Sequence, residues 1–149
     1  MTASTEPQRV SAYVGGEAPP PVCVRVVGRC PAGAAESLER VKEVMRVVAA
    51  QAHDRWPQER RWRQLLPTWF VELFENLSLD EILADESLWH FESWLEAMRL
   101  RGWEWWSSKL EDEVTWKVFL TAFEWPYRVG PLEYLAKVSG ASELEIEES

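Results

Sequence analysis

Between Trp103 and Thr121 the apolar residues recur at every second position, and this run constrains the fold more than any other part of the chain. Trp103 and Trp105 alternate with Glu104 and Trp106. Beyond a polar turn around Glu111, Asp112 and Glu113, the residues Val114, Trp116, Val118 and Leu120 alternate with Thr115, Lys117, Phe119 and Thr121. A period of two sends successive side chains to opposite faces, which is the geometry of a strand. The segment therefore predicts an antiparallel hairpin, ended by Trp125-Pro126-Tyr127. Aromatic side chains that face one another across such a ribbon contribute about 0.2–1 kcal/mol per pair.

Ten tryptophans in 149 residues could serve as core or as a platform for a ligand. Each ring buries on the order of 150–250 Å², so the favoured reading is bulk for a small interior. Alternation cannot turn both Trp105 and Trp106 inward from a one-sided sheet. At least one of them needs a helix, an oligomer contact or a ligand over it. Trp106 is the expected odd one out, with Trp89 second, because Trp89 lies off the Leu88, Phe91 and Leu95 stripe.

Elsewhere the period is helical or the residues break structure. Residues 1–21 end in Pro19-Pro20-Pro21, which cannot donate to a sheet, and read as a flexible, disordered arm. The stretch 22–28 is β-branched and alternating, a short strand ended by Gly28, Pro31 and Gly33. From Ala35 to about Arg55, Leu38, Val41, Val44, Met45, Val48 and Ala52 form one helical stripe that Pro57 stops. A basic connector follows. Trp69, Phe70, Leu73, Phe74 and Leu77 then mark a helix after Pro67, the Ser78 and Glu81 pair caps a short one, and Ser87 caps another that Gly102 closes. Gly130-Pro131 opens a last helix, capped by Gly140, and residues 142–149 read as an acidic frayed tail. The expected architecture is a single compact α+β domain over 22–141, a Trp-rich hairpin or small sheet packed against several short helices.

Charge narrows the partners. The chain carries −9 overall; residues 1–64 hold 10 Lys/Arg against 7 Asp/Glu, and residues 65–149 hold 6 against 18. Balances of +3 and −12 disfavour nucleic acid and anionic lipid, unless the basic part acts alone, and favour a basic protein partner. No stretch approaches about 18 uninterrupted apolar residues, and no basic and apolar leader opens the chain, so a cytoplasmic protein is expected with no membrane partner. Oligomeric state is left open.

Few residues point to chemistry. Cys23, Cys30, His53 and His90 match no zinc-ligand spacing, so neither a metal nor a cofactor is implied. His90 follows Glu86 by four residues and could form an acid–base pair, but a surface ion pair explains the spacing as well; His53 beside Asp54 fits the helix dipole. Cys23 sits among valines, whereas Cys30, in the loop beside Arg29, is the better nucleophile. Arg55, Trp56, Arg60, Arg61, Trp62 and Arg63 form a basic and aromatic patch suited to phosphate and stacking, for which salt links plus packing of Trp62 are the favoured explanation.

The segments "WHFESWLEAM", "GWEWW" and "FEWPYRVGPLEYLAKVSGA" together resemble, over about residues 65–141, the C-terminal part of a group of small Trp-rich bacterial proteins with no assigned activity. The resemblance implies one folded unit in a bacterial protein and carries over no site residue. Without a nucleophile, base and oxyanion donor in one pattern, the expectation is a non-enzymatic adaptor or accessory module that binds a protein partner through an acidic, Trp-containing surface. Trp106, Trp89, Glu104, Glu111, Asp112 and Glu113 are the candidate contacts. Two alternatives stand beside it: an immunity or antitoxin protein that neutralises a basic toxin or nuclease with these carboxylates and the 143–148 tail, and a small enzyme or enzyme subunit that uses Cys30 or His90.

Overall fold

The computed structural model describes residues 6–11, 23–52, 55–76, 79–84 and 89–148. Ser78, Ser87, Glu86, His53 and Asp54, to which the sequence assigns caps and candidate chemistry, lie outside the described residues.

The alternating segment forms the hairpin of β2, Trp103–Asp112, and β3, Thr115–Ala122. Trp105 sits opposite Leu120, Ser108 opposite Val118 and Leu110 opposite Trp116, with irregularities between Trp105 and Ser107 and between Leu110 and Asp112. The Asp112 carboxylate accepts the Val114 N–H at 2.9 Å and shapes the turn. The hairpin does not stand alone. The strand read at 22–28 is β1, Cys23–Arg29, and it pairs antiparallel with both β3 and a fourth strand, β4, Glu143–Glu148.

The sheet order is β2-β3-β1-β4. Since β1 and β2 are both antiparallel to β3, they run in one direction on either side of it, and the connectivity is β-α-β-β-α-β, the split βαβ or ferredoxin-like plan. The first crossover contains α2 (Ala34–Ala52), α3 (Glu59–Leu65), α4 (Thr68–Glu75), α5 (Leu79–Ala84) and α6 (Phe91–Arg99); the second is α7, Gly130–Val138. The apolar stripe of α2, Leu38, Val41, Val44, Met45 and Val48, is fully buried in one core with Val24, Val26, Trp116, Val118 and Leu120. On the opposite sheet face Arg25, Val27, Lys117 and Phe119 are half-buried.

Four sequence expectations need correction. Gly28 does not end the first strand but lies inside it, because the Trp116 ring crosses β1 there; a Cβ on Gly28 would lie 2.5 Å from that ring. The 142–149 tail is not frayed through 143–148, since β1 offers an open ladder edge. Ser142 N–H donates to the Arg29 carbonyl at 2.8 Å, and Glu147 reaches Arg25 at 3.2 Å. The arm of residues 1–21 contains a helix, α1, Glu6–Ser11. It is held by the Glu6 carboxylate, which accepts from Arg101 Nη2 and from the Trp105 N–H, each at 2.7 Å, and by buried Val10. Finally, the basic connector is helical over α3, where a single residue, Trp62, supplies the buried face and leaves no stripe to read.

Candidate functional site

Tryptophan serves chiefly as interior. Trp62, Trp94, Trp103, Trp105 and Trp116 are fully buried. Three of these satisfy the indole N–H: Trp94 donates to the Pro131 carbonyl, Trp103 to the Arg128 carbonyl and Trp116 to the Ser37 hydroxyl. Trp106, expected to need a cover, has one. The guanidinium of Arg9 on α1 lies 3.6 Å from its ring centroid, and Arg9 also donates to the Trp106 carbonyl.

The ring that does face solvent is Trp125. The chain leaves α6 through Leu100 and Arg101, turns at Gly102 with φ +76°, and enters β2. A Cβ at Gly102 would press at 3.3 Å on Glu124 and Tyr127, so both the dihedral and the close approach call for glycine. The 123–129 loop is stitched to this turn: Phe123 N–H donates to the Gly102 carbonyl at 3.0 Å, and Arg128 N–H to the Arg101 carbonyl at 2.7 Å. So constrained, the loop packs Tyr127 partly against the core and leaves Phe123 and Trp125 outside. Phe123 is 64% exposed, Trp125 73% and Leu100 43%. Trp125 stacks on Tyr127 with centroids 4.7 Å apart, and Tyr127 O–H donates to the Glu148 carboxylate on β4.

These side chains border an open cleft of about 390 Å³, whose rim carries Glu104, Glu124, Arg99 and Arg128. Arg128 also lines a neighbouring cleft of about 630 Å³ between α6 and α7, together with Trp89, Glu92 and Glu96. The two clefts share one wall. Part of the positive charge here is already engaged: Arg101 forms a buried pair with Glu6, and Arg99 pairs with Glu96. The hydrogen bond from Arg99 holds the Glu96 carboxyl below its ordinary range, with the charge of Arg128 adding to the effect. Among the described residues no Ser, Cys, His or Lys lines the 390 Å³ cleft. The cleft joins an apolar and aromatic patch to a polar rim.

The other sequence candidates are dispersed. Glu104 lines the aromatic cleft and Trp89 its neighbour, whereas Glu111, Asp112 and Glu113 are at the hairpin tip. Glu111 lies 3.0 Å from Lys109 and 3.2 Å from Lys117, whose hydrogen bonds lower its pKa. Cys30 is 1% exposed and donates its N–H to the Val114 carbonyl, which places the thiol out of reach of a substrate. Burial pushes the Cys23 thiol up, partly opposed by Arg25. His90 is exposed at the N-cap position of α6. Among the described residues no three His, Cys, Asp or Glu side chains gather in a group that could hold a metal ion, and no helix is long and apolar enough to cross a membrane.

In the basic patch Trp62 packs inside, and Arg63 pairs with Glu59 and Glu75. Arg55, Arg60 and Arg61 are exposed. Phe123, Trp125 and Leu100 were invisible to periodicity, because they sit in loops and at a helix end. The available signal was positional: an aromatic pair around a proline between a strand and a helix, in the kind of segment that carries binding residues.

The fold is a two-layer α+β domain with a split βαβ sheet and an aromatic cleft on its surface. Comparison with protein-family models, curated proteins and solved structures finds no match to this chain.

Proposed function

We propose that this chain is a non-enzymatic bacterial module that binds a protein partner through the Leu100, Phe123 and Trp125 cleft. The observation that carries the reading is the exposure of three large apolar side chains around one concavity, in a fold that buries five other tryptophans completely. Glu104 and Glu124 on the rim, and the −9 net charge, suit a partner that presents a basic side chain between the rings and the carboxylates. The partner surface is therefore displaced from the one centred on Trp106 and the hairpin tip.

The test is a quantitative pull-down from the native host with wild type and a Phe123→Ala/Trp125→Ala double variant, read by mass spectrometry. A partner retained by the wild type and lost by the double variant, with both proteins melting alike, supports the proposal. Equal recovery with both overturns it. The immunity or antitoxin alternative makes the opposite demand: Glu111→Gln, Asp112→Asn and Glu113→Gln together would release the partner. Its support is weaker, because Glu111 is shared between two lysines and Asp112 is committed to the turn.

A further inference from the structure

The aromatic cleft leaves the basic patch unused, and there the structure assembles a second concavity of different chemistry. The end of α2, the 55–58 connector and α3 surround an open cleft of about 560 Å³. Its lining includes Arg55, Arg60 and Arg61, Trp56 and three glutamines, and among the described residues no carboxylate lines it. That is unusual for a chain with 25 Asp and Glu against 16 Lys and Arg. Arg25, Arg46, Arg63, Arg99 and Arg101 each reach a carboxylate. Even within α3 the division is clear, because Arg63 takes Glu59 and Glu75 while its neighbours have no carboxylate partner among the described residues.

Trp56 is not a loose surface ring. Its indole rests on fully buried Trp62, with centroids 4.7 Å apart and planes inclined at 51°, so half of it is anchored to the core while it also lines the cleft. Gln64 is oriented by a hydrogen bond from Arg61 at 3.2 Å. Three guanidinium forks match phosphate oxygens, an anchored indole matches a flat ring, and carboxamides match the donors and acceptors on a base edge. The volume lies in the range of small-ligand sites, roughly 300–1,000 Å³. We propose that this cleft binds a nucleotide unit, with phosphate on Arg55, Arg60 and Arg61 and the base against Trp56. A glutamate-rich peptide would satisfy the arginines but leave the indole and carboxamides without a role.

The unit can come from a free nucleotide or from a single strand, and the experiment separates the sources. Adenosine monophosphate, a ten-residue oligoadenylate, inorganic phosphate and a glutamate-rich decapeptide are titrated by calorimetry into the full chain at low salt. Expected is binding of the first two, with phosphate and decapeptide at least about tenfold weaker than the nucleotide, because neither carries a base to stack. Arg55→Gln/Arg60→Gln should weaken nucleotide binding by about tenfold or more while the melting temperature holds, since both side chains are exposed. A strand that binds tighter than the mononucleotide, with a steep loss as salt rises, supports the proposal with the single strand as the source; the reverse order supports it with the free nucleotide. Silence of both nucleotide probes at low salt, binding unchanged in the double variant, or a decapeptide as tight as the mononucleotide overturns it.

Discussion

Arg101 carries the most concentrated physical argument at the scale of single residues. Its guanidinium is buried with the Glu6 carboxylate, and it also donates to the carbonyls of Trp103 and Met98. Removing one partner of a buried pair strands the other charge, so Arg101→Met should destabilise the protein by about 3–5 kcal/mol in urea unfolding, and Arg101→Met/Glu6→Leu should recover much of that. A single variant within about 1 kcal/mol of wild type contradicts this account. Gly28→Ala tests the ring that crosses β1. The added methyl meets Trp116 at 2.5 Å inside the core, and a loss of roughly 1–3 kcal/mol is expected. Tyr127 supplies a pH observable: burial and then its hydrogen bond to Glu148 push its phenol up to about 12. The neutral phenol is favoured in the fold, so its contribution is complete below the ordinary value of 10 and is lost as pH rises through the folded value. Absorbance at alkaline pH should show this phenol titrating above the normal range, and Glu148→Gln should lower its midpoint.

Elements explain why some of these groups are inside and others are not. The 123–129 loop is pinned by backbone hydrogen bonds to the Gly102 turn, with Phe123 and Trp125 outside, so Phe123→Ala and Trp125→Ala should each shift stability by no more than about 0.5 kcal/mol. Trp94→Ala should cost about 3–5 kcal/mol, because that ring is fully buried against Phe70 and Phe74. Thermal melts that rank Trp125→Ala level with Trp94→Ala would contradict the placement of the cleft at the surface. Strand β4 belongs to the same scale. Four of its six residues are glutamates, a composition that resists edge-to-edge pairing, and it covers the edge of β1. Deleting residues 143–149 should expose that edge and produce concentration-dependent scattering that the full chain does not show.

At the scale of the whole molecule, two surface concavities differ in character. One is the Leu100, Phe123 and Trp125 cleft with carboxylates on its rim; the other is the arginine-lined cleft at α3. Ala52 lines the first and Gln51 the second, so both approach the C-terminal turn of α2. The basic patch was legible in the sequence because its residues are contiguous. The aromatic cleft was not, since Leu100 and Phe123 meet only after the hairpin has folded back. Trp106 shows the same limit from the other direction: alternation demanded a cover for it, and a helix nearly a hundred residues away supplies one.

What the sequence determined by itself is local. The period of two through Trp103–Thr121 and the stripe from Leu38 to Val48 specify a hairpin and a helix, because a side chain's face follows from its spacing along one element. Tertiary structure decided what depends on partners far apart in the chain. It set the order β2-β3-β1-β4, recruited the glutamate-rich tail as a strand, docked α1 through an ion pair that spans 95 residues, and left Trp125 rather than Trp106 in solvent. A carboxylate or an indole has no preferred side until the surface it must pair with has been assembled.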